Sequence, residues 1–297
     1  MKQYLWVEDN FSRVAKPLRS AFDERFADPK AARSDRFVWD FWNVPDQYTL
    51  LRTPAEHFFP RQAYVSFLHE LGLWASATLG CTAITPPWLS YYVEGCEQKL
   101  HSDVPHGPWA FVFSLSPPRP KFKGGETLLL KPSVLSYWSG FTEARDRELG
   151  SFVERIAPRF NRLVVFDPRI PHGVTRVAGT MDPREARLVM HGWFTEPKPC
   201  LEGPLSARQV APILDAAVSQ IQEALEGSWH GVLSLRLSVA AGGNILAVKL
   251  LADTLMPVQA DPRSAPAFRR VLLSTLKGLR FPKAKGGTRI TLPLLFR

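Results

Sequence analysis

With 297 residues and 45% hydrophobic composition the chain can bury one large core or two unequal ones, and it holds no low-complexity tract. A run of about 18 apolar residues is absent, which excludes a membrane-spanning helix, and the opening MKQYLWVEDN has acids where a secretory signal needs an apolar core, so a cytoplasmic protein is expected. The net charge of +9 is uneven: from Leu205 onward 12 Lys and Arg face 5 Asp and Glu, read as a solvated basic face without any nucleic-acid-binding motif.

Residues 10–26 read as a first helix, started or bent by Pro17. A second spans 61–79, with Tyr64, Phe67, Leu68, Leu71 and Trp74 at helical spacing between Pro60 and Gly80. After Pro87 the texture changes to short β-prone runs: WLSYYVEG, WAFVFSLS, ETLLLK, RLVVFD and ARLVMHGWFT. Helices followed by many short strands predict a mainly β fold, an antiparallel double-sheet barrel with flanking helices. Cys81, Cys96 and Cys200 lack the spacing of a disulfide framework or a metal site and read as free thiols.

The Pro-rich EPKPCLEGP at 196–204 reads as a linker. Beyond it, Ser206 and Gln209 form a capping box before a helix with Val210, Ile213, Leu214, Ala217, Val218, Ile221 and Leu225 on one stripe. GVLSLRLSVA and NILAVKLL read as two strands split by Ala-Gly-Gly, followed by a helix from about Ser264 to Leu279 and a last strand, TRITLPLLF. The division is therefore a barrel domain at 1–199 and a small α+β domain at 205–297. Few contacts are expected across the linker, so that residues 1–200 should fold alone.

The stretch HSDVPHGPW at 101–109 places His101 and Asp103 two residues apart on extended backbone, on one face at the lip of an apolar strand. Such a pair is common by chance and needs a third partner. NRLVVFDPRIPHGV supplies His172 at a strand mouth. Two histidines and a carboxylate on one face of a metal leave the other positions open, the arrangement of non-haem Fe(II) oxygenases. On RLVMHGWF, alternation puts Arg187, Val189, His191 and Trp193 on one face. An inward Arg requires an anion, either a ligand or the acid of a structural salt bridge.

In these residues the chain resembles the 2-oxoglutarate- and Fe(II)-dependent dioxygenases, nearest the prolyl-hydroxylase-like branch. The likeness runs from about Trp88 to Phe194 through YVEGCEQKLHSD, FKGGETLLL, NRLVVFDPRIPHGV and RLVMHGWF, in the family's order. It implies a double-stranded β-helix (jelly-roll) barrel, with His101, Asp103 and His172 as catalytic iron ligands. Arg187 matches the base that pairs with the distal carboxylate of 2-oxoglutarate, and Tyr92 and Val174 match residues of the same pocket. His191 and Trp193 share the co-substrate face. Ser114 departs from the pattern, since many relatives carry a larger hydrogen-bonding residue beside the co-substrate, and the gap from His172 to Arg187 is longer. The resemblance implies Fe(II), with 2-oxoglutarate and O₂ as co-substrates and ascorbate as an auxiliary reductant. His106 reads as a loop histidine before a substrate contact, His191 as a donor behind the ligands, and Cys96 as packing.

HGVLSLRLSVAAGGNILAVKLLADTL with LKGLRFPKAKGGTRITLPLLF resembles the C-terminal domain of TonB-type energy transducers, which implies a protein-binding module at 205–297. The chain is thus expected to be a hydroxylase of an amino-acid side chain in a peptide or protein. Alternatives are the same chemistry on a free amino acid or small metabolite, and a binding protein whose barrel has lost turnover.

Overall fold

The computed structural model describes residues 3–103, 106–134, 137, 149–225, 227–259 and 264–296. It divides into two compact units, one of Leu5–Glu70 and Ile84–Phe194, the other of Met1–Tyr4, Leu71–Ala83 and Thr195–Arg297.

In chain order the first unit holds β1 (Leu5–Asp9), α1 (Ala15–Arg25), β2 (Asp40–Val44), β3 (Tyr48–Pro54), α2 (Ala55–Phe58) and the start of α3 (Arg61–Thr78). After β4 (Cys81–Ile84) come β5 (Trp88–Tyr92), β6 (Glu97–His101), β7 (Trp109–Ser114), β8 (Thr127–Leu130), β9 (Val153–Ile156), β10 (Arg162–Phe166), β11 (His172–Val174) and β12 (Arg187–Pro197). The strands form a curled antiparallel sheet in the order β1-β10-β7-β12-β5-β3-β6-β11-β8-β9, with β2 on β3 and β4 on β12. The curl has a local cause in β3, which changes partner midway. Leu51–Pro54 pair with β5, whereas Tyr48 and Thr49 pair with Gln98 and Glu97 of β6. β10 is buried at every position, as its unbroken apolar run requires. α1 turns Leu18 and Phe22 inward, where Phe22 meets Phe58 and Tyr91, and Phe67 of α3 packs on Phe113 with ring centroids 4.6 Å apart.

The predicted first helix is shorter than its sequence window. Asn10 takes a left-handed φ of +56°, and Ser12 and Asn161 exchange hydrogen bonds, so the chain turns before α1 begins. The apolar run before that turn is β1, paired to β10 from Leu5↔Phe166 to Asp9↔Arg162. The hairpin β2–β3 was likewise not foreseen; it closes through Asp46 at φ +61°. Strands therefore precede the helices as well as follow them.

The second unit holds β13 (Cys200–Glu202), α4 (Ala207–Glu223), β14 (Ser228–Val239), β15 (Ile245–Asp253), β16 (Met256–Gln259), α5 (Ala265–Gly278) and β17 (Thr288–Phe296). Its sheet runs β13-β17-β14-β15, with β16 on β14. Val210, Leu214, Ala217 and Ile221 of α4 join Phe268, Leu272 and Leu276 of α5 over Leu235, Leu237, Ile290 and Leu292. At the start of α4, Ser206 and Gln209 form the anticipated capping box, with Gln209 Oε1 accepting the N–H of Ser206 at 2.9 Å.

The compact units differ from the expected division. The stretch at 196–204 is not a bare connector: Cys200–Glu202 pair with Arg289–Thr291 of β17, and Lys198 N–H donates to Gly80 O at 2.9 Å. The unit also takes in Leu71–Ala83 instead of beginning at 205. Its sheet supplies donors to the carbonyl end of α3. Ser234 Oγ donates to Leu79 O at 2.7 Å, Thr291 Oγ1 to Ala77 O at 3.0 Å, and Arg236 adds a charged donor to Ala77 O. The last carbonyls of a helix have no partner within it and carry its negative end, so a cation and two hydroxyls there are stabilising.

A chain ending at Pro199 should consequently be insoluble or melt well below the full-length protein. Thermal denaturation followed by circular dichroism checks this, and wild-type melting of the shortened chain would restore the simpler boundary.

Candidate metal centre and its cavity

β6 and β11 run antiparallel with His101 opposite His172, and their ring centroids lie 4.5 Å apart. The residue between His172 and Val174 has to be glycine. A Cβ on Gly173 would stand 2.5 Å from Gln98 O and 3.1 Å from Lys99 O, so any side chain would push β11 off β6. Asp103 follows His101 past the strand end, with its N–H on Pro168 O at 3.0 Å.

The donor atoms of His101, Asp103 and His172 all lie within 4.8 Å of one another. His101 Nε2 is 3.5 Å from one carboxylate oxygen of Asp103, and His172 Nε2 is 3.3 Å from the other. Each imidazole uses Nδ1 on the carbonyl two residues earlier, His101 on Lys99 O and His172 on Ile170 O, both at 2.8 Å. That bond makes Nδ1 the protonated nitrogen and leaves the Nε2 lone pair for a metal. The turn before His172 is itself braced, since Arg169 bonds Asp167 through Nε at 2.9 Å and Nη2 at 2.6 Å. Its consecutive carbonyls at Pro168, Arg169 and Ile170 hold Asp103, Ser102 and His172 in turn.

Burial lowers the His101 pKa, which favours the neutral ring that a metal needs. Burial pushes Asp103 the other way; in the metal-free site a proton on the neighbouring imidazoles, His172 foremost, outweighs it and keeps the carboxyl below its ordinary range, and a cation on the Nε2 atoms would take that proton's place. The donors are thus in the ionisation states that suit a divalent cation. The set fits Fe(II): two imidazoles and one carboxylate on one side, with open space opposite.

That space is a cavity of about 450 Å³. Tyr92, Val174, Arg187, His191 and Trp193, all expected at the site, line it together with the triad. Arg187 is 1% exposed, donates through Nε to Gly125 O at 2.7 Å and through Nη2 to Thr127 Oγ1 at 3.3 Å, and stacks 4.5 Å from the centre of the Tyr92 ring. Its Nη1 has no hydrogen-bond partner, and no carboxylate forms an ion pair with it among the described residues. The structural salt bridge weighed as an alternative is absent among them. Gly125, at φ +75°, makes room for this side chain: a Cβ there would lie 3.0 Å from Arg187 Cδ.

His191 bonds Ser90 Oγ at 2.8 Å instead of backing a triad histidine. Ser114 is opposite Val189, but its hydroxyl donates to Ser116 Oγ at 3.1 Å and does not line the cavity. His106 stacks on Trp193 at 4.4 Å, inside the cavity wall. Cys96 is buried, as its packing role requires. The sequence reading missed Thr127 and a wall made by Trp42, Tyr48, Arg52 and Trp88. Alternation along Tyr48, Leu50 and Arg52 was the available signal.

Residues 87–195, about a third of the chain, match the 2OG-Fe(II) oxygenase superfamily, and the triad and Arg187 fall inside that segment. The reaction class is that of a 2-oxoglutarate-dependent dioxygenase, with Fe(II) as its metal and 2-oxoglutarate and O₂ as co-substrates. The chain is similar to three solved structures. A prolyl hydroxylase from Trichoplax adhaerens, in complex with a hypoxia inducible factor peptide fragment, is 17% identical, with 64% of this chain and 83% of that one covered and a TM-score of 0.45. A prolyl-4-hydroxylase from Pseudomonas putida is 16% identical, with 65% and 92% covered and a TM-score of 0.42. HygX from Streptomyces hygroscopicus, with nickel and 2-oxoglutarate bound, is 12% identical, with 64% and 82% covered and a TM-score of 0.43. No curated protein matches the chain in sequence. No helix among the described residues is long and apolar enough to cross a membrane.

Two outcomes follow from this geometry. Gly173→Ala should weaken Fe(II) binding by at least an order of magnitude with the protein still folded, because the added methyl separates the strands that carry the two histidines; metal titration under anaerobic conditions measures it. The second concerns acid. Burial and then the charge of Arg187 push the His191 pKa down to about 4 from 6.5. Below pH 6.5 the unfolded chain takes up this proton first, so stability should fall from there to about pH 4 and level off beneath it. The span is at most roughly 3 kcal/mol, reduced by the solvent that reaches the ring through the cavity. Urea denaturation of the metal-free protein at several pH values should show a shallower decline for His191→Gln than for the wild type.

Proposed function

We propose that this dioxygenase hydroxylates an amino-acid side chain in a peptide or protein, with His101, Asp103 and His172 holding the Fe(II) and Arg187 holding the distal carboxylate of 2-oxoglutarate. One observation carries the assignment of Arg187. A guanidinium buried in the same cavity as the triad has an unused donor and no protein carboxylate. Such a group is costly unless a ligand supplies the anion.

When bound, Fe(II) couples the oxidative decarboxylation of 2-oxoglutarate by O₂ to the hydroxylation of a C–H bond. The chain's own residues set the conditions for it. The Nδ1 bonds to Lys99 O and Ile170 O hold both imidazoles in the ligating tautomer. Arg187, fixed by Gly125 O and Thr127, orients the co-substrate from its far end. Phe166, packed 4.7 Å from His172, and Val174 give the pocket apolar walls that limit water.

A peptide or protein substrate is favoured by the rim. Trp42 is 37% exposed on the β2–β3 hairpin and belongs to the cavity wall. A partly exposed aromatic at the mouth of a cavity suits a macromolecular ligand. The cavity volume is also of the size that takes a small metabolite, the second reading. Recruitment of a protein partner by residues 205–297 is part of the proposal, on the resemblance read from their sequence alone.

Arg187→Ala should cost roughly 2–5 kcal/mol of 2-oxoglutarate binding, as for one partner removed from a buried charge pair. Arg187→Lys keeps the charge without the fork and should be milder. Both should raise the KM for 2-oxoglutarate and leave iron affinity almost unaltered. Titration of 2-oxoglutarate into the Fe(II)-loaded alanine variant, with succinate formation as the activity readout, decides the matter. Wild-type affinity there refutes the assignment.

A further inference from the structure

A second guanidinium faces the same cavity. Arg52 of β3 is opposite Ser90 of β5, which is in turn opposite Val189 of β12, so it belongs to the inner face that carries Arg187 and His191. Its Cζ lies 3.5 Å from the centre of the Trp42 ring and 4.1 Å from that of Trp88. Two indoles thus cover the faces of the guanidinium. Stacking satisfies the π-faces and leaves the in-plane N–H edge for hydrogen bonds.

That edge has no answering acid. Arg52 Nε is buried without a partner, and no ion pair or hydrogen bond of this side chain occurs among the described residues. Asp40 is its cross-strand neighbour but is exposed and forms no ion pair with it among them. The cavity therefore holds two unpaired guanidinium groups. In the oxygenase reading, on which this inference rests, one carboxylate of 2-oxoglutarate goes to Arg187 and the other end goes to the metal. The charge of Arg52 is then left for the other reactant.

We infer that Arg52 anchors a carboxylate of the primary substrate, either the α-carboxylate of a free amino acid or the C-terminal carboxylate of a peptide. A flat fork held between two indoles matches a planar monoanion, which it can meet with two parallel bonds. Trp42 and Trp88 then form apolar slabs on either side of that contact and dry it. The bland alternative is a structural ladder in which Arg52 only ties the β2–β3 hairpin to β5.

The test uses the full-length protein loaded with Ni(II) and 2-oxoglutarate, so that no turnover occurs. A panel of L-amino acids, each in free, N-acetylated, and N-acetylated and amidated form, is titrated by calorimetry. For at least one side chain a carboxylate form should bind at least tenfold tighter than the amide. That preference should disappear in Arg52→Ala and survive in part in Arg52→Lys. Binding of the free form alone identifies a free amino acid; binding of the N-acetylated acid identifies a peptide C-terminus. Equal binding of acids and amides, binding of none of them, or an acid preference that persists in Arg52→Ala overturns the inference. A ladder predicts a lower melting temperature with no acid preference to lose. If the alanine variant does not fold, the acid–amide comparison on the unaltered protein and on Arg52→Lys remains decisive. Failure of 2-oxoglutarate itself to bind the unaltered protein would sink the oxygenase reading before Arg52 is at issue.

Discussion

The site depends on how closely β11 approaches β6. A metal cannot be held by two histidines from different strands unless those strands keep a fixed separation, and here that separation is set by backbone, with Gly173 against Gln98 O. The same closeness lets each imidazole use its own strand's carbonyl to fix the Nδ1 proton. Geometry and tautomer then have one origin. Asp103 completes the set through a backbone bond to the turn that precedes His172, so the two halves of the triad are tied by main-chain groups and not by flexible side chains. Preorganised donors of this kind avoid an ordering cost when the ligand arrives.

The cavity breaks the ordinary rule that charge withdrawn from water is paired, fully at the buried Arg187 and in part at the half-buried Arg52. Arg187 and Arg52 lie in one wall without a carboxylate partner among the described residues, and Trp193 Nε1 is buried there without an acceptor. Local violations of this sort concentrate where a ligand completes the bonding. The cations also explain the behaviour of His191, whose ring stays neutral beside Arg187 and with Arg52 close enough to add to the effect. A neutral imidazole can take the Ser90 hydroxyl as its partner without adding a third positive charge to the wall.

Much of the triad was legible because its signals are short in sequence. His101 and Asp103 sit on two-residue spacing, and the HGV after a Pro-containing turn marks a strand mouth. Arg187, His191 and Trp193 were found by simple alternation, and all line the cavity. The helices α3, α4 and α5 were legible from apolar periodicity and their flanking Pro, Ser and Gly, and their ends differ from the expected ones by a few residues at most. What escaped were features that depend on distant pairing. β1 has few residues of its own to bury and becomes a strand through β10. Ser114, expected beside the co-substrate, has its hydroxyl taken by Ser116, a contact that no periodicity encodes.

The misread linker shows the same limit from the other side. Proline and glycine at 196–204 signal a connector because proline cannot donate to a ladder. An edge strand needs donors on one side only, and β13 lies at the edge of its sheet, paired to β17 alone. Pro197 ends β12 and Pro199 falls just before β13, so neither proline's missing N–H interrupts the pairing of Cys200–Glu202. Composition therefore reports the local hydrogen-bonding capacity of a segment, and an edge requires little of it. The segment that looked free to separate the two parts of the chain is held in place by the last strand, β17, nearly ninety residues further on.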